Sequence, residues 1–285
     1  MTFTAVDLST LPAPDVIEEL SHAAAVQAIR DDVVARFPEI APVIDLPSEP
    51  ARKLIEAFAY RETLLRARIN DAARAVFLAS ATGADLNHLA ALFGVRRAAG
   101  EEDARLRLRL GLAPGALSVA GPEAAYRFHA LTAVPDLKDV SAISPAPGAV
   151  FVTLLGLEGD GSVSQDHLDA VRAVLDRDDI RPLTDVVSVL APGIIPYAID
   201  AGLILYPGPT AEPIRQRAIK AAQTYATARH RLGHDITLSG LHAALHIEGV
   251  QKVMLRSPAD LPLRISDREA AFCTNITVSI DGRNT

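Results

Sequence analysis

The 285-residue chain has no tryptophan and a single cysteine, Cys273. One thiol permits no intrachain disulfide and no cysteine cluster for a metal, which suits synthesis in a reducing cytoplasm. Cys273 itself reads as a small buried residue beside a strand. Aromatic residues make up only 5% of the chain against 49% apolar residues, so the expected core is aliphatic, built from Ala, Leu and Val. No uninterrupted apolar run reaches membrane-spanning length. The opening MTFTAVDLSTLPAPD also has no basic stretch leading into an apolar one, so the protein is expected to be soluble when made, with no membrane contact. A net charge of −7 argues against nucleic acid or anionic lipid as a general partner.

What is present is enough for more than one domain. Turn and period signals predict an α+β protein: an N-terminal helical region over residues 1–98, then two small mixed α/β modules over 99–192 and 193–285. In the helical region, Asp15 after Pro12 and Pro14, with Glu18 three residues on, predicts a capping box opening a helix over 15–37. Pro38, Pro42, Pro47 and Pro50 then form an extended connector. The middle module is expected to hold helices near 122–131 and 164–177 and strands near 138–143, 149–155 and 185–190. The last should hold strands near 196–206, 250–255 and 275–280 and helices near 211–231 and 239–248. A constant offset of 113 sets His129 against His242, Val134 against Ile247, Val140 against Val253, and Ser144-Pro145-Ala146 against Ser257-Pro258-Ala259. Each segment ends a helix, enters a strand and leaves by a Ser-Pro turn. Two modules related by internal duplication are therefore one expectation, which strand direction tests.

Residues 51–97 carry the most information. Leu54, Phe58, Leu65, Ile69, Ala72 and Val76 lie on one stripe of a 3.6-residue period, with Arg52, Glu56, Glu62, Arg66 and Arg74 elsewhere, so one face requires a cover. Thr82-Gly83 reads as the stop, Asp85 as the cap of a second short helix, and Gly94 as its end. Leu86, Leu89 and Phe93 on that helix are expected to fold back on the long one.

The order R-E-x-x-L-R-x-R-I-N, F-L-A-x-A-T-G-A-D-L-x-x-L-A and G-V-R-R resembles the baseplate J family of contractile phage tails and related particles. Glu102-Asp103, Leu106-Arg107, Gly121, Ala125-Tyr126 and Arg181-Pro182-Leu183-Thr184-Asp185 continue the resemblance, which covers residues 45–260. It implies a structural wedge protein and not an enzyme, located in the tail baseplate after assembly in the bacterial cytoplasm. It also implies partners: further copies of the chain, a second wedge protein of the tail protein I type, and a sheath-initiating lysozyme-like protein, in a ring around a hub. No cofactor is implied.

Candidate chemistry is sparse. His230, His234, His242 and His246 fall within 17 residues, and His242 and His246 stand four apart on an expected helix, so a metal-dependent hydrolase is the competing reading. The protease version needs Glu at 243, which is Ala. The Gly156–Gly161 turn has no lysine and the spacing G-x-x-G-x-G, with Glu158 and Asp160 set to repel phosphate, so it reads as a surface turn. There is no G-x-S-x-G nucleophile elbow. Arg105-Leu106-Arg107-Leu108-Arg109-Leu110 alternates like a strand, while Glu101, Arg105 and Arg109 step by four like a helix. The family resemblance decides for helix. With Arg96 and Arg97 this run reads as a charged face or as contact with an acidic patch on a neighbour. The candidate interface residues are thus Phe58, Leu65, Ile69, Arg96, Arg97, Arg105 and Arg109. A soluble adaptor that forms no ring is a further alternative.

Overall fold

The computed structural model describes residues 8, 11–12, 14–116, 121–208 and 210–284. Helix α1, His22–Arg36, opens at Ser21, whose Oγ accepts the Ala24 N–H. This is later than the capping box at Asp15 predicts. Both backbone groups of Glu18, which a helix would use internally, are taken by the side-chain amide of Asn70. After a 3₁₀ turn at Pro38–Ile40, α2 spans Pro50–Ala75, with Pro50 in the first turn where no N–H donor is needed. It stops short of Thr82-Gly83: Ser80 Oγ donates to the Arg74 carbonyl, and the Ser80 and Ala81 N–H groups return to Phe77 in a turn. Helix α3, Gly83–Leu92, enters through Thr82 rather than Asp85, and Gly94 follows it at φ 68°. Helix α4, Asp103–Ala116, resolves the Arg-Leu alternation as helical. The chain forms two compact units, residues 5–111 and 112–285.

The second unit holds two sheets. In the first, α5 (Glu123–Ala133) leads into β1 (Leu137–Ala146), then β2 (Ala149–Gly156), α6 (Gln165–Leu175) and β3 (Val186–Leu190). The order is β1-β2-β3, with β2 antiparallel to β1 and parallel to β3. Central β2 is buried along most of its length, as a strand covered on both faces must be. In the second sheet, β4 (Gly193–Leu205) is followed by α7 (Glu212–Arg229), α8 (Leu238–Leu245), β5 (Val250–Ser257) and β6 (Glu269–Arg283). The order is β5-β4-β6, with β4 antiparallel to β5 and parallel to β6. Tyr197, Ile199, Ala201, Leu203 and Leu205 alternate into one core with Ala218, Ala222 and Ala226 of α7 and Leu241 and Leu245 of α8.

The sheets share one arrangement on different connections. α5 packs on β1, α6 on β3, and the two helices on each other; α8 packs on β5, α7 on β6, and these helices likewise on each other. The ladders agree residue by residue. Val140 faces Leu154 as Val253 faces Leu203, and Val152 faces Val189 as Ala201 faces Val278. The offset of 113 therefore pairs α5–β1 with α8–β5, each strand antiparallel to its central strand. The connection differs: the central strand follows the helix–strand pair in the middle module and precedes it in the C-terminal one.

Candidate assembly surface

Among the described residues the apolar stripe of α2 is left uncovered. Leu54, Phe58, Leu65, Ile69 and Val76 are 60–66% exposed. Their spacings of four, seven, four and seven residues keep them within a sector of about 60° at 3.6 residues per turn, and Leu54 to Ile69 spans roughly 22 Å. Tyr60 and Leu64 add exposed apolar surface beside them. The buried residues of this helix are others: Ile55, Ala59 and Asn70. α1 packs on α2 yet buries none of its own residues. Phe93, expected on the inner face of α3, is half-exposed at the helix end, while Leu86 is buried.

Polar side chains, many of them in the motifs quoted above, fasten this unit. Asn70 accepts the Glu18 N–H at 3.1 Å and donates to the Glu18 carbonyl at 2.8 Å, while Arg66 bridges Glu18 and Glu62. Arg97 reaches Asn87, the Glu101 carbonyl and Asp103. The Gly83 N–H and the Arg97 guanidinium hold Asp103 below the usual carboxylate range. Arg107 donates to the carbonyls of Leu78 and Ala81, closing the turn between α2 and α3. Arg109, only 4% exposed, donates to both oxygens of the buried Glu101 carboxylate at 2.9 and 2.7 Å, and Arg105 lies 3.6 Å from the same group. The charged face expected of Arg97, Arg105 and Arg109 is thus corrected. Arg105 and Arg109 turn inward because Glu101, one helical turn before Arg105, offers a buried carboxylate that only paired cations make tolerable, whereas Arg97 is drawn in by Asp103 and the Glu101 carbonyl. Arg96 remains exposed.

In the middle module, Gly121, Tyr126, Pro182 and Asp185 come together although they are far apart in sequence. Tyr126 is buried and its hydroxyl donates to Asp185 Oδ2 at 2.6 Å; burial and that carboxylate push the phenol pKa up. Gly121, at φ 64°, lies so close to Pro182 that a Cβ there would meet the proline ring. This latch leaves Leu183 fully exposed at the tip of the turn before β3.

The histidine cluster does not assemble. Both ring nitrogens of His230 are engaged, Nδ1 by Lys138 and Nε2 by the Asp160 carbonyl, which leaves no lone pair for a metal. His242 lies within α8 and His246 caps its end. Among the described residues no group of three or more His, Cys, Asp or Glu side chains is placed to hold a metal ion. The Gly156–Gly161 turn closes on itself through the Gly156 N–H to Gly161 carbonyl bond, and it is a contact between modules as well as a surface turn. Cys273 is half-buried within β6. No helix among the described residues is long and apolar enough to cross a membrane.

Three family models match in chain order: the baseplate J-like N-terminal domain over residues 47–102, the central domain over 118–191 and the C-terminal domain over 197–279. The sequence is also similar to baseplate protein J of Escherichia phage P2, with 42% identity across 97% of this chain and 98% of the phage protein. The chain belongs to the baseplate J family. The N-terminal domain match contains α2 and α3, hence the exposed stripe and the turn held by Arg107. The central match contains α5 to β3 with its tyrosine latch, and the C-terminal match covers most of the sheet of β4 to β6. Sequence reasoning singled out the baseplate J motifs by their order. It missed that Asn70, Glu101 and Arg107 are internal fasteners. For Glu101 the signal was available in its four-residue steps to Arg105 and Arg109; for Asn70, whose partner is a backbone 52 residues away, there was none.

Proposed function

We propose that the chain is a structural subunit of the baseplate of a contractile phage tail or tail-like particle, working by assembly and not by catalysis. It associates with further copies of itself, with a second wedge protein of the tail protein I type and with a sheath-initiating lysozyme-like protein, as part of a ring around the central hub. It is assembled in the host cytoplasm and resides in the tail baseplate. One combination carries this reading: an uncovered apolar stripe on a 26-residue helix, in a chain 42% identical to a phage baseplate protein over nearly its whole length. Exposed contiguous apolar surface on a soluble chain marks a contact with another protein, and a narrow stripe along a helix suits a bundle between subunits. Phe58, Leu65 and Ile69 form the centre of that contact and Arg96 its polar rim. During contraction such subunits would turn as bodies about their interfaces.

The test is co-expression with the neighbouring wedge protein and mass measurement of the purified complex. More than one copy of this chain per complex is expected. A monomer that ignores its neighbour at both low and moderate salt overturns the wedge reading, because an interface of standard size survives those conditions. One copy bound to one partner would favour the adaptor alternative.

A further inference from the structure

The two α/β modules meet around His230, the residue that ends α7. Its Nδ1 lies 2.9 Å from Lys138 Nζ on β1, and its Nε2 lies 3.0 Å from the carbonyl oxygen of Asp160 in the turn after β2. An ammonium group only donates and a carbonyl only accepts. The partners therefore dictate the tautomer: Nδ1 bare, Nε2 protonated, ring neutral. A second proton would sit on Nδ1 and point at the lysine, replacing a hydrogen bond by two donors of like charge. His230 is 7% exposed, and Phe272 of β6 lies against its ring at 5.5 Å between centroids. Leu155 of β2, Leu232 and Ala270 of β6 form the adjoining apolar cluster, with Ile194 of β4 packed on it.

The charges around the ring are mixed. On β1 stand Lys138 and Asp139; Asp139 accepts the Leu232 N–H at 3.2 Å and lies 3.6 Å from Arg127 of α5. Asp160 belongs to the turn, Arg229 and Arg231 flank His230 in sequence, and His234 follows. Burial, then Lys138, lower the His230 pKa, with Asp160 opposing.

We propose that His230 is a pH-sensitive lock between the modules: neutral, it bridges β1 and the 157–161 turn to the C-terminal module, and its protonation releases that junction. Once opened to water the ring returns to its ordinary pKa of about 6.5. Because the closed form has the lower pKa, the lock is at full strength above about 6.5 and weakens as pH falls from there towards the closed-form value. The open population rises between pH 7.5 and 5.5, by at most about tenfold for an open ring of ordinary pKa. The modules then remain tied through the short β3–β4 connection, the Asp139–Leu232 bond and the Leu155–Leu232–Ala270 cluster, so the opening is local to the 157–161 turn and the segment after α7.

Hydrogen exchange of the full chain, read by mass spectrometry and corrected for the intrinsic pH dependence, tests this. Protection in peptides covering 157–161 and 230–234 should fall from pH 7.5 to 5.5, by at most about tenfold, while the β4 core stays protected. His230→Gln offers one acceptor and one donor but does not titrate, so its protection should be flat across the same range. Lys138→Met removes the opposing cation and should make the response shallower. Unchanged protection in the wild-type chain, a pH response that survives His230→Gln, or a loss spread equally over β4 would each overturn the proposal.

Discussion

The helical unit and the two α/β modules solve the problem of burial differently. Helix α1 contributes no buried residue and the 26 residues of α2 contribute three, whereas β4 sends five alternate side chains into one core with two helices. The first unit buries Ile44, Leu86, Leu106 and Leu110 and adds polar fasteners to them: the Asn70 clamp, the Arg97–Asp103 pair, the Arg107 links and the Glu101–Arg109 pair. The second relies on aliphatic packing. The contrast shows where the chain is finished by itself and where it is left for something else to cover.

The largest effect that would test the contrast is expected at Glu101. Removing the carboxylate takes the opposite charge from buried Arg109, which keeps its bond to the Arg96 carbonyl, so Glu101→Ala should lower stability by about 3–5 kcal/mol in denaturant titration. The paired change Glu101→Leu with Arg109→Met should recover much of that loss; a double variant as weak as the single one would show that the pair does more than neutralise itself. In the C-terminal module, Leu203→Ala empties a fully buried site and should cost about 2–5 kcal/mol. Tyr126→Phe removes one hydrogen bond to a carboxylate and should cost about 1.5–3 kcal/mol. The smallest effect belongs to the stripe. Phe58→Ala and Leu65→Ala should shift the stability of the free chain by less than about 0.5 kcal/mol, yet reduce co-purification with the neighbouring wedge protein. If either variant melts like Leu203→Ala, the stripe is core and the comparison fails.

Most of the α/β modules was legible in the sequence because strand alternation and helix period are local. Val140 and Val253 could be paired across 113 residues for that reason. The position of each central strand was not legible, since β2 and β4 are joined to their partners through different connections and no local pattern records the order. In the helical unit the stripe of Leu54 to Val76 was read correctly as a single face, and it is left exposed among the described residues. The arginines misled because an exposed and an inward guanidinium look alike until the position of Glu101 is known. His230 misled for a related reason: clustering in sequence suggested shared ligation, and its true partners, Lys138 and Asp160, lie 92 and 70 residues away.

The uncovered stripe of α2 also has a consequence for the life of the chain before assembly. Surface that awaits a partner is equally available to a wrong one, and four large apolar side chains in a row on one helix, with Val76 at its end, make self-association a matter of concentration and time. Dosage then becomes part of the design: the chain made in excess of its neighbours should precipitate, and supplying those neighbours during synthesis should keep it in solution.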